Sequence, residues 1–342
     1  MNAREMVSVG IRRHGGPEAL EVLTGPVPKP GPGEVLVRNH WIGVNYVDLQ
    51  HRAGRPYPVT LPLVPGTEAA GVVEAVGRDV DASLVGARVV HAGHLAGCYA
   101  EFTAVRREHL TPVLPDVGLD IAAALTLAGT TAHVLTRTAV TAAGRTVVVY
   151  AAAGSTGGAV VQLAHADGAR VIGVVSTQDK ARVARELGAD DVVVADGTPL
   201  AQAVRALTEG RGVDLVYDAT GRDTFEASLQ MLATGATLVV YGATSGPPAP
   251  VDIGRLSGLT ADSVGTGSLG IRWVASGHYL EGARREAVTS AVLRDIASGR
   301  LTPRIAARLP LEAAVDAHRL LAGRSVLGKV LLHTSTKGIS PS

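Results

Sequence analysis

The stretch RTVVVYAAAGSTGGAVVQLAHAD, residues 145–167, decides how the rest of the chain is read. It opens with an apolar run, Thr146 to Tyr150, whose β-branched Val147, Val148 and Val149 suit a strand buried in a parallel sheet. AAAGSTGG follows, small residues only, and then Ala159, Val160, Leu163 and Ala164 recur at helical spacing. A strand, a tight glycine turn and a helix in that order aim the free N–H groups of the helix's first turn at one point. The positive end of the helix dipole lies there too, so a pyrophosphate fits that point. Gly154 and Gly157 carry no Cβ, which lets a ligand approach the backbone closely. The spacing is Gly-x-x-Gly-Gly rather than the full Gly-x-Gly-x-x-Gly. A dinucleotide-binding turn is therefore weighed against a turn of small residues kept for packing, and the surrounding chain favours the first.

Downstream the pattern repeats. Strands are expected at 170–175, 191–194, 213–217 and 236–241, alternating with helices at 157–166, 178–187, 199–208 and 223–232. Strict alternation implies an α/β fold with a doubly wound parallel sheet and helices on both faces. Residues 1–125 read instead as strands and turns, at 7–12, 19–23, 34–42, 71–76, 87–91, 100–105 and 110–113, with one short helix near 45–52. Helical pieces at 121–127 and 131–135 flank Gly129, with Asp120 as a cap. A helix at 279–298 is expected to bury Leu280, Ala287, Ala291 and Ile296, and a helix at 311–322 precedes a last strand at 327–333. That strand is expected to return to the first unit, because the parallel sheet already has its strands. The nucleotide unit is then an insertion within a β unit.

The 342 residues allow about two domains, and 46% hydrophobic residues can fill a sizeable core. Thirty-two Lys and Arg against 31 Asp and Glu, net +1, argue against nucleic acid or an anionic membrane as the main partner. Cys98 is the only cysteine, which excludes an internal disulfide and a four-cysteine zinc site. No cationic start leads into an apolar run, so the expectation is a cytoplasmic protein without a secretory leader. Residues 146–166 carry no charge, but Gly154, Ser155, Thr156, Gly157 and Gly158 interrupt them, so a strand and a helix explain them better than a membrane span.

With these residues in hand, the chain resembles the medium-chain dehydrogenase/reductase superfamily, and within it the zinc-free quinone oxidoreductase group that includes zeta-crystallin. The resembling motifs are GVNYVD at 43–48, LPLVPGTEAAGVVEAVG at 61–77, VVYAAAGSTGGAVVQLA at 148–164, VYDATGRDTFEASLQ at 216–230 and GRSVLGKVLL at 323–332. The resemblance implies a GroES-like β domain from residues 1–126 and 270–342, and a Rossmann domain from 127–269. It also implies a homodimer formed through the Rossmann sheet edge, where the apolar segment 261–264 is the candidate strand. Zinc alcohol dehydrogenases of the superfamily have a cysteine where Tyr46 stands and Gly-His-Glu where Gly66-Thr67-Glu68 stands. Tyrosine and threonine do not serve zinc, so no metal site is expected there. Ser155-Thr156 replaces a common Gly-Val, and those hydroxyls either meet phosphate or cap the helix. The rival metal pattern, His91, His94 and Cys98 in HAGHLAGC, has no local fourth ligand and reads better as a turn.

An NAD-binding fold usually ends its second strand with an acid that holds the ribose 2′-hydroxyl. Here the segment reads VVSTQDK: Ser176 stands where the acid would be, Thr177 follows, and Lys180 and Arg182 supply cations. A 2′-phosphate is tolerated there, so NADPH (NADP+) is the expected cofactor; Asp179 is the residue that would favour NADH. Ser176 or Thr177 also reads as a helix cap. Thr220, Gly221 and Gly242 follow strands and are expected at the cofactor, as are Gly267 and Ser268 near the nicotinamide. The resemblance adds Thr131 and Lys329, the latter weighed against an ordinary edge-strand lysine.

The implied chemistry is hydride transfer from NADPH to a quinone or an activated C=C, such as an enone, enal or enoyl thioester. Donors must meet the oxygen that gains charge, and a proton must follow. Asn45 is expected to donate an amide N–H to the nicotinamide or substrate carbonyl, Tyr57 to give the proton, and Tyr46 to line the pocket. Arg52, Arg55, Arg272 and Arg284 are available for a basic mouth. The alternatives are an NADPH-binding structural protein without turnover, as zeta-crystallin is in some lenses, and a zinc-free NADP-dependent alcohol dehydrogenase.

Overall fold

The computed structural model describes residues 4–92, 97–323 and 326–334. The chain divides into two compact units, Met1–Thr130 with Leu280–Ser342, and Thr131–Tyr279. The first begins with a hairpin of β1 (Glu5–Ile11) and β2 (Leu20–Pro26), and β2 takes in residues 25 and 26 of the proline-rich stretch. Then come β3 (Glu34–Val44), α1 (Tyr46–Ala53), β4 (Glu68–Val76), β5 (Arg88–Ala92), β6 (Phe102–Arg106) and β7 (Leu110–Pro112). α2 (Leu119–His133) follows and runs on as a wider, π-type helix, Val134–Ala139. The helix passes straight through Gly129, where a Cβ would press on Val292 at 2.6 Å, so glycine here is a packing choice and not a break. Asp120 lies inside the first turn rather than capping it, and its carboxylate accepts Arg308 Nη2 at 2.6 Å. The stretch Leu119–Ala139 is long and apolar enough to cross a membrane, yet 67% of its apolar window is buried within the protein.

The second unit alternates as its sequence requires. β8 (Thr146–Tyr150), α3 (Ser155–Ala166), β9 (Arg170–Val175), α4 (Gln178–Glu186), β10 (Asp191–Val194), α5 (Leu200–Leu207), β11 (Val213–Asp218), α6 (Phe225–Gln230), β12 (Leu232–Val240) and β13 (Gly270–Trp273) succeed one another. Their sheet has the order β10-β9-β8-β11-β12-β13, all parallel, with the chain reversing direction across the sheet beside β8. β13 keeps residues 270–279 in this unit, so it ends at Tyr279 and not at 269. Residues 261–264 form a turn and coil; the edge strands of the sheet are β10 and β13.

The chain re-enters the first unit through α7 (Ala283–Ala297), β14 (Ile305–Pro310), α8 (Ala314–Ala322) and β15 (Lys329–His333). The buried stripe of α7 is Thr289, Val292, Leu293 and Ile296; Ala287 is exposed and Leu280 is buried ahead of the helix. β15 pairs antiparallel with β3, as the sequence suggested for its last strand, and parallel with β14 on its other side. Ile42, Val44, Ala69, Val330 and Leu332 pack there in one apolar cluster with Tyr99.

At the β8–α3 turn the two glycines have different duties. A Cβ on Gly157 would collide with the carbonyl oxygen of Ala151 and sit 2.8 Å from that of Tyr150, so Gly157 serves close helix–strand packing rather than ligand approach. Gly154 is the N-cap of α3, in extended backbone, with nothing nearer its Cβ position than 3.1 Å. Gly157→Ala should therefore lower stability by about 1–3 kcal/mol, the usual cost of overpacking, read as a drop in the thermal midpoint, whereas Gly154→Ala should cost less.

Candidate active site

In the first unit a glycine makes room for a buried charge. A Cβ on Gly43 of β3 would overlap Glu68 Oε1 at the start of β4, and would lie 2.7 Å from its Cδ. Glu68 is wholly buried and fully engaged. Its Oε1 accepts Lys329 Nζ at 2.5 Å and Asn45 Nδ2 at 2.8 Å, and its Oε2 accepts the Leu127 N–H at 2.6 Å. Lys329 also donates to Asn45 Oδ1 at 2.6 Å. The orientation of the Asn45 amide follows from its partners, since an ammonium only donates and a carboxylate only accepts. Lys329 is not an edge-strand lysine: β15 is flanked on both sides, and the side chain is 2% exposed.

Asn45 caps α1, and the strand-to-helix turn places its side chain beside Thr67, with Nδ2 to Thr67 Oγ1 at 3.3 Å. This corrects the expectation for the metal position. The residue facing Thr67 and Glu68 is Asn45, whereas Tyr46 points into the apolar cluster. Asn45 has no spare donor for a substrate, because its amide N–H groups go to Glu68 and Thr67.

A second chain of polar groups runs inward from this cluster. Asp48 Oδ2 accepts the Asn45 N–H at 2.8 Å, Oδ1 accepts the Thr67 hydroxyl at 3.2 Å, and Tyr99 Oη donates to Oδ2 at 3.4 Å. Tyr99 Oη lies 2.9 Å from His318 Nε2, and His318 Nδ1 lies 3.0 Å from Arg52 Nη1. Arginine can only donate, so His318 accepts at Nδ1 and carries its proton on Nε2, facing Tyr99. Burial pushes the Asp48 carboxyl up to about 7, against the hydrogen bond from Asn45 and the nearby Lys329 charge. Burial, with the Arg52 charge, pushes the His318 imidazole down to about 3. Nothing in the sequence pointed to Tyr99, His318 or Asp48 as partners; they meet only through folding. Arg52 is spent on this chain and on Gly15 O, and Arg272 on Ala139 O and Tyr279 Oη, so neither is free for a basic mouth.

Tyr57 stands apart, 42% exposed on the proline-held loop. Of the rival metal pattern, His94 lies outside the described residues. His91 Nε2 binds Asn39 Oδ1 at 3.0 Å, and the Cys98 thiol, pushed well up by burial, sits 3.8 Å from His91 Nδ1. His91 is buried within β5, where a histidine on a turn facing solvent is the sequence expectation. Among the described residues no group of three histidine, cysteine or carboxylate side chains could hold a metal ion.

In the second unit, most of the expected cofactor residues gather at the C-terminal ends of the parallel strands. The first turn of α3 presents the N–H groups of Ser155, Thr156 and Gly157, and no side chain caps it; Ser155 and Thr156 lie within the helix rather than before it. At the end of β9, Lys180 Nζ donates to Ser176 Oγ at 2.9 Å, and Thr177 Oγ1 caps α4 by accepting the Lys180 N–H. Past β11, Asp218 holds the Thr220 and Gly221 N–H groups at 2.7 and 3.2 Å, and Gly242 follows β12. Thr131 Oγ1 lies 3.4 Å from Ser276 Oγ, just beyond β13. Gly267 and Ser268 are the exceptions. They precede β13 and sit at the N-terminal ends of the strands, where the Gly267 carbonyl takes the Gly235 N–H and Ser268 bonds Ser257. They lie at the opposite end of the sheet from Gly154, Ser176 and Thr220, whereas Ser276, which sequence reasoning did not single out, follows β13 at the same end as those residues. Arg222 was also missed; it follows Gly221 and lies against Gly246, which has no side chain to displace it.

A β unit interrupted by a dinucleotide-type parallel-sheet unit, with a buried polar cluster where other members carry metal ligands, defines a class of two-unit oxidoreductases. Known proteins agree. The family described as alcohol dehydrogenase GroES-like domain matches residues 31–116, and that described as zinc-binding dehydrogenase matches residues 155–276. A 2-haloacrylate reductase of Burkholderia sp. is 37% identical over 329 residues, covering 94% of this chain and 97% of its own length. A quinone oxidoreductase of Pseudomonas aeruginosa is 37% identical over 322 residues, covering 93% and 97%. A mycobacterial protein whose structure was solved in complex with NADPH is 38% identical, with a TM-score of 0.89, covering 96% of this chain and 100% of its own. The chain belongs to the quinone oxidoreductase group of the medium-chain dehydrogenase/reductase superfamily and is an oxidoreductase.

The His318 shift has a sign that can be checked. Below its ordinary value near 6.5 the unfolded chain takes up a proton that the folded protein refuses, so stability falls as pH falls from 6.5 towards 3. Relative to His318→Gln, the protein should lose about 2–3 kcal/mol between pH 7 and about pH 4.5, measured by urea unfolding of both proteins at the two pH values.

Proposed function

We propose that this protein is an NADPH-dependent reductase that passes hydride to a quinone or to a carbon–carbon double bond activated by a carbonyl or carboxyl group, without zinc. The observation that carries the cofactor choice is the Ser176–Lys180 contact at the end of β9. A carboxylate there would hold a ribose 2′-hydroxyl and repel a 2′-phosphate; a serine beside an ammonium does the opposite. The uncapped first turn of α3 suits the pyrophosphate, with Gly154 leaving the backbone open and Ser155 and Thr156 supplying hydroxyls. Thr220, Gly221 and Gly242 line the same end of the sheet, Arg222 offers a flat cation for the adenosine part, and Thr131 with Ser276 lies at its nicotinamide end. When bound, NADPH supplies the hydride.

In the first unit Asn45 and Thr67 are poor zinc ligands, and the ammonium of Lys329 already neutralises Glu68. An acceptor that is electron-poor by itself, such as a quinone or a 2-haloacrylate, needs no metal to be polarised. Tyr57 is the proton donor in this reading, and Tyr46 is a packing residue beneath the site. The protein works in the cytoplasm as a homodimer joined along β13. That edge strand exposes Ile271 and Trp273, and Ile253, Leu256, Leu269 and Ile271 line an apolar groove of about 600 Å³ next to it.

NADPH oxidation with 1,4-benzoquinone, 2-chloroacrylate and an enoyl thioester tests the reaction, and reduction of NADP+ by simple alcohols in its place would defeat it. Ser176→Asp should raise the KM for NADPH on the order of 100-fold with little change for NADH, and Tyr57→Phe should lower kcat on the order of 100-fold. Ile271→Lys should convert the dimer into a monomer, read by light scattering.

A further inference from the structure

The donors around Asn45 leave one group over. Asn45 spends its amide N–H groups on Glu68 and Thr67, and the Thr67 hydroxyl goes to Asp48. Lys329 has three N–H donors. One goes to Asn45 Oδ1 at 2.6 Å and one to Glu68 Oε1 at 2.5 Å; among the described residues the third meets no protein acceptor. This ammonium is held from two sides, 2% exposed, in surroundings where a charge acts with little screening from water. Asn45, which steers it, is only partly buried.

We propose that Lys329 is a catalytic electrophile: its third N–H receives the oxygen of the acceptor on which negative charge grows during hydride transfer. The proposal rests on the reductase reading above. In the step, the β-carbon of the acceptor's C=C–C=O takes the hydride and forms a C–H bond. The C=C electron pair moves to the next bond, and the carbonyl pair moves onto oxygen, giving an enolate. A proton, delivered by Tyr57, then closes the reduction. The acceptor gains two electrons and two hydrogens, and NADPH becomes NADP+. Lys329 is the hydrogen-bond donor and not the proton source in this step. Glu68 fixes the ammonium in place, and Asn45 sets its direction. A preformed charge of this kind stabilises the oxyanion without reorganising, which is the role that a metal fills elsewhere.

The competing explanation is that Lys329 only neutralises Glu68. Lys329→Met alone does not separate the two, since it leaves the carboxylate buried and alone. The paired variant Lys329→Met/Glu68→Gln removes both charges together and separates them. Wild type and paired variant are compared for thermal midpoint, for NADPH affinity by fluorescence, and for single-turnover hydride transfer to benzoquinone and 2-chloroacrylate. Expected are a paired variant with a midpoint near wild type, and hydride transfer at saturating NADPH slower by about 100- to 1000-fold. A readout without turnover is the binding of 4-nitrophenolate, an oxyanion on a quinone-sized ring, which should weaken at least about tenfold in Lys329→Met or the paired variant, whichever folds. Hydride transfer within tenfold of wild type, or unchanged phenolate binding, overturns the assignment of Lys329 while leaving the reductase reading intact. A wild type that binds NADPH but reduces none of these acceptors overturns the reductase reading itself, and this inference with it.

Discussion

A single ion pair, Lys329 to Glu68, ties together parts of the chain that are 261 residues apart. It joins β15 to β4 across β3, and it does so inside the protein, where an unpartnered charge would cost several kcal/mol. That cost makes the surrounding details necessary. Gly43 must lack a side chain to admit the carboxylate, Asn45 must sit at the strand-to-helix turn to bridge the two charges, and Leu127 must offer its N–H to the other oxygen. Buried charge is weak evidence of stability in itself. Its presence where apolar packing would be easier points to use.

The second polar chain has a related logic. Arg52 and Asp48 are a cation and an acid held apart by a neutral histidine and a tyrosine, and the arginine, which can only donate, sets the direction of the bonds through His318 to Tyr99. Asp48 in turn orients the Asn45 backbone and the Thr67 hydroxyl. The site is thus built on two layers of buried polar contacts that leave Asn45 and Lys329 little freedom, as preorganised electrostatics requires.

The cofactor unit shows the opposite economy. Its core is a continuous sheet of Val, Ile and Leu side chains, and its polar work is confined to the strand ends. Asp218, the last residue of β11, is its buried anchor. Wholly buried, it accepts from Thr220, Gly221, Thr224 and Ser228, and so fixes the loop after β11. Ser176, by contrast, is exposed and Lys180 partly so, and their contact lies open to solvent at the end of β9.

Periodicity and glycine turns alone determined five strands of the parallel sheet and the helices between them, because those signals are local and repeat every few residues; the sixth strand, β13, has only four residues in a glycine-rich stretch and left no such signal. Ser176 and Lys180 were legible as near neighbours for a related reason: Ser176 stands just before the cap of α4 and Lys180 lies in its first turn. Tertiary structure alone decided which of two adjacent residues, Asn45 or Tyr46, faces Thr67, since a strand-to-helix turn rotates neighbouring side chains apart. It also decided that Gly267 and Ser268 lie at the far end of the sheet, because a residue's end depends on the register of β13. The partners of Lys329 and His318 were settled only by folding, because long-range pairing of charges leaves no periodic trace in a sequence.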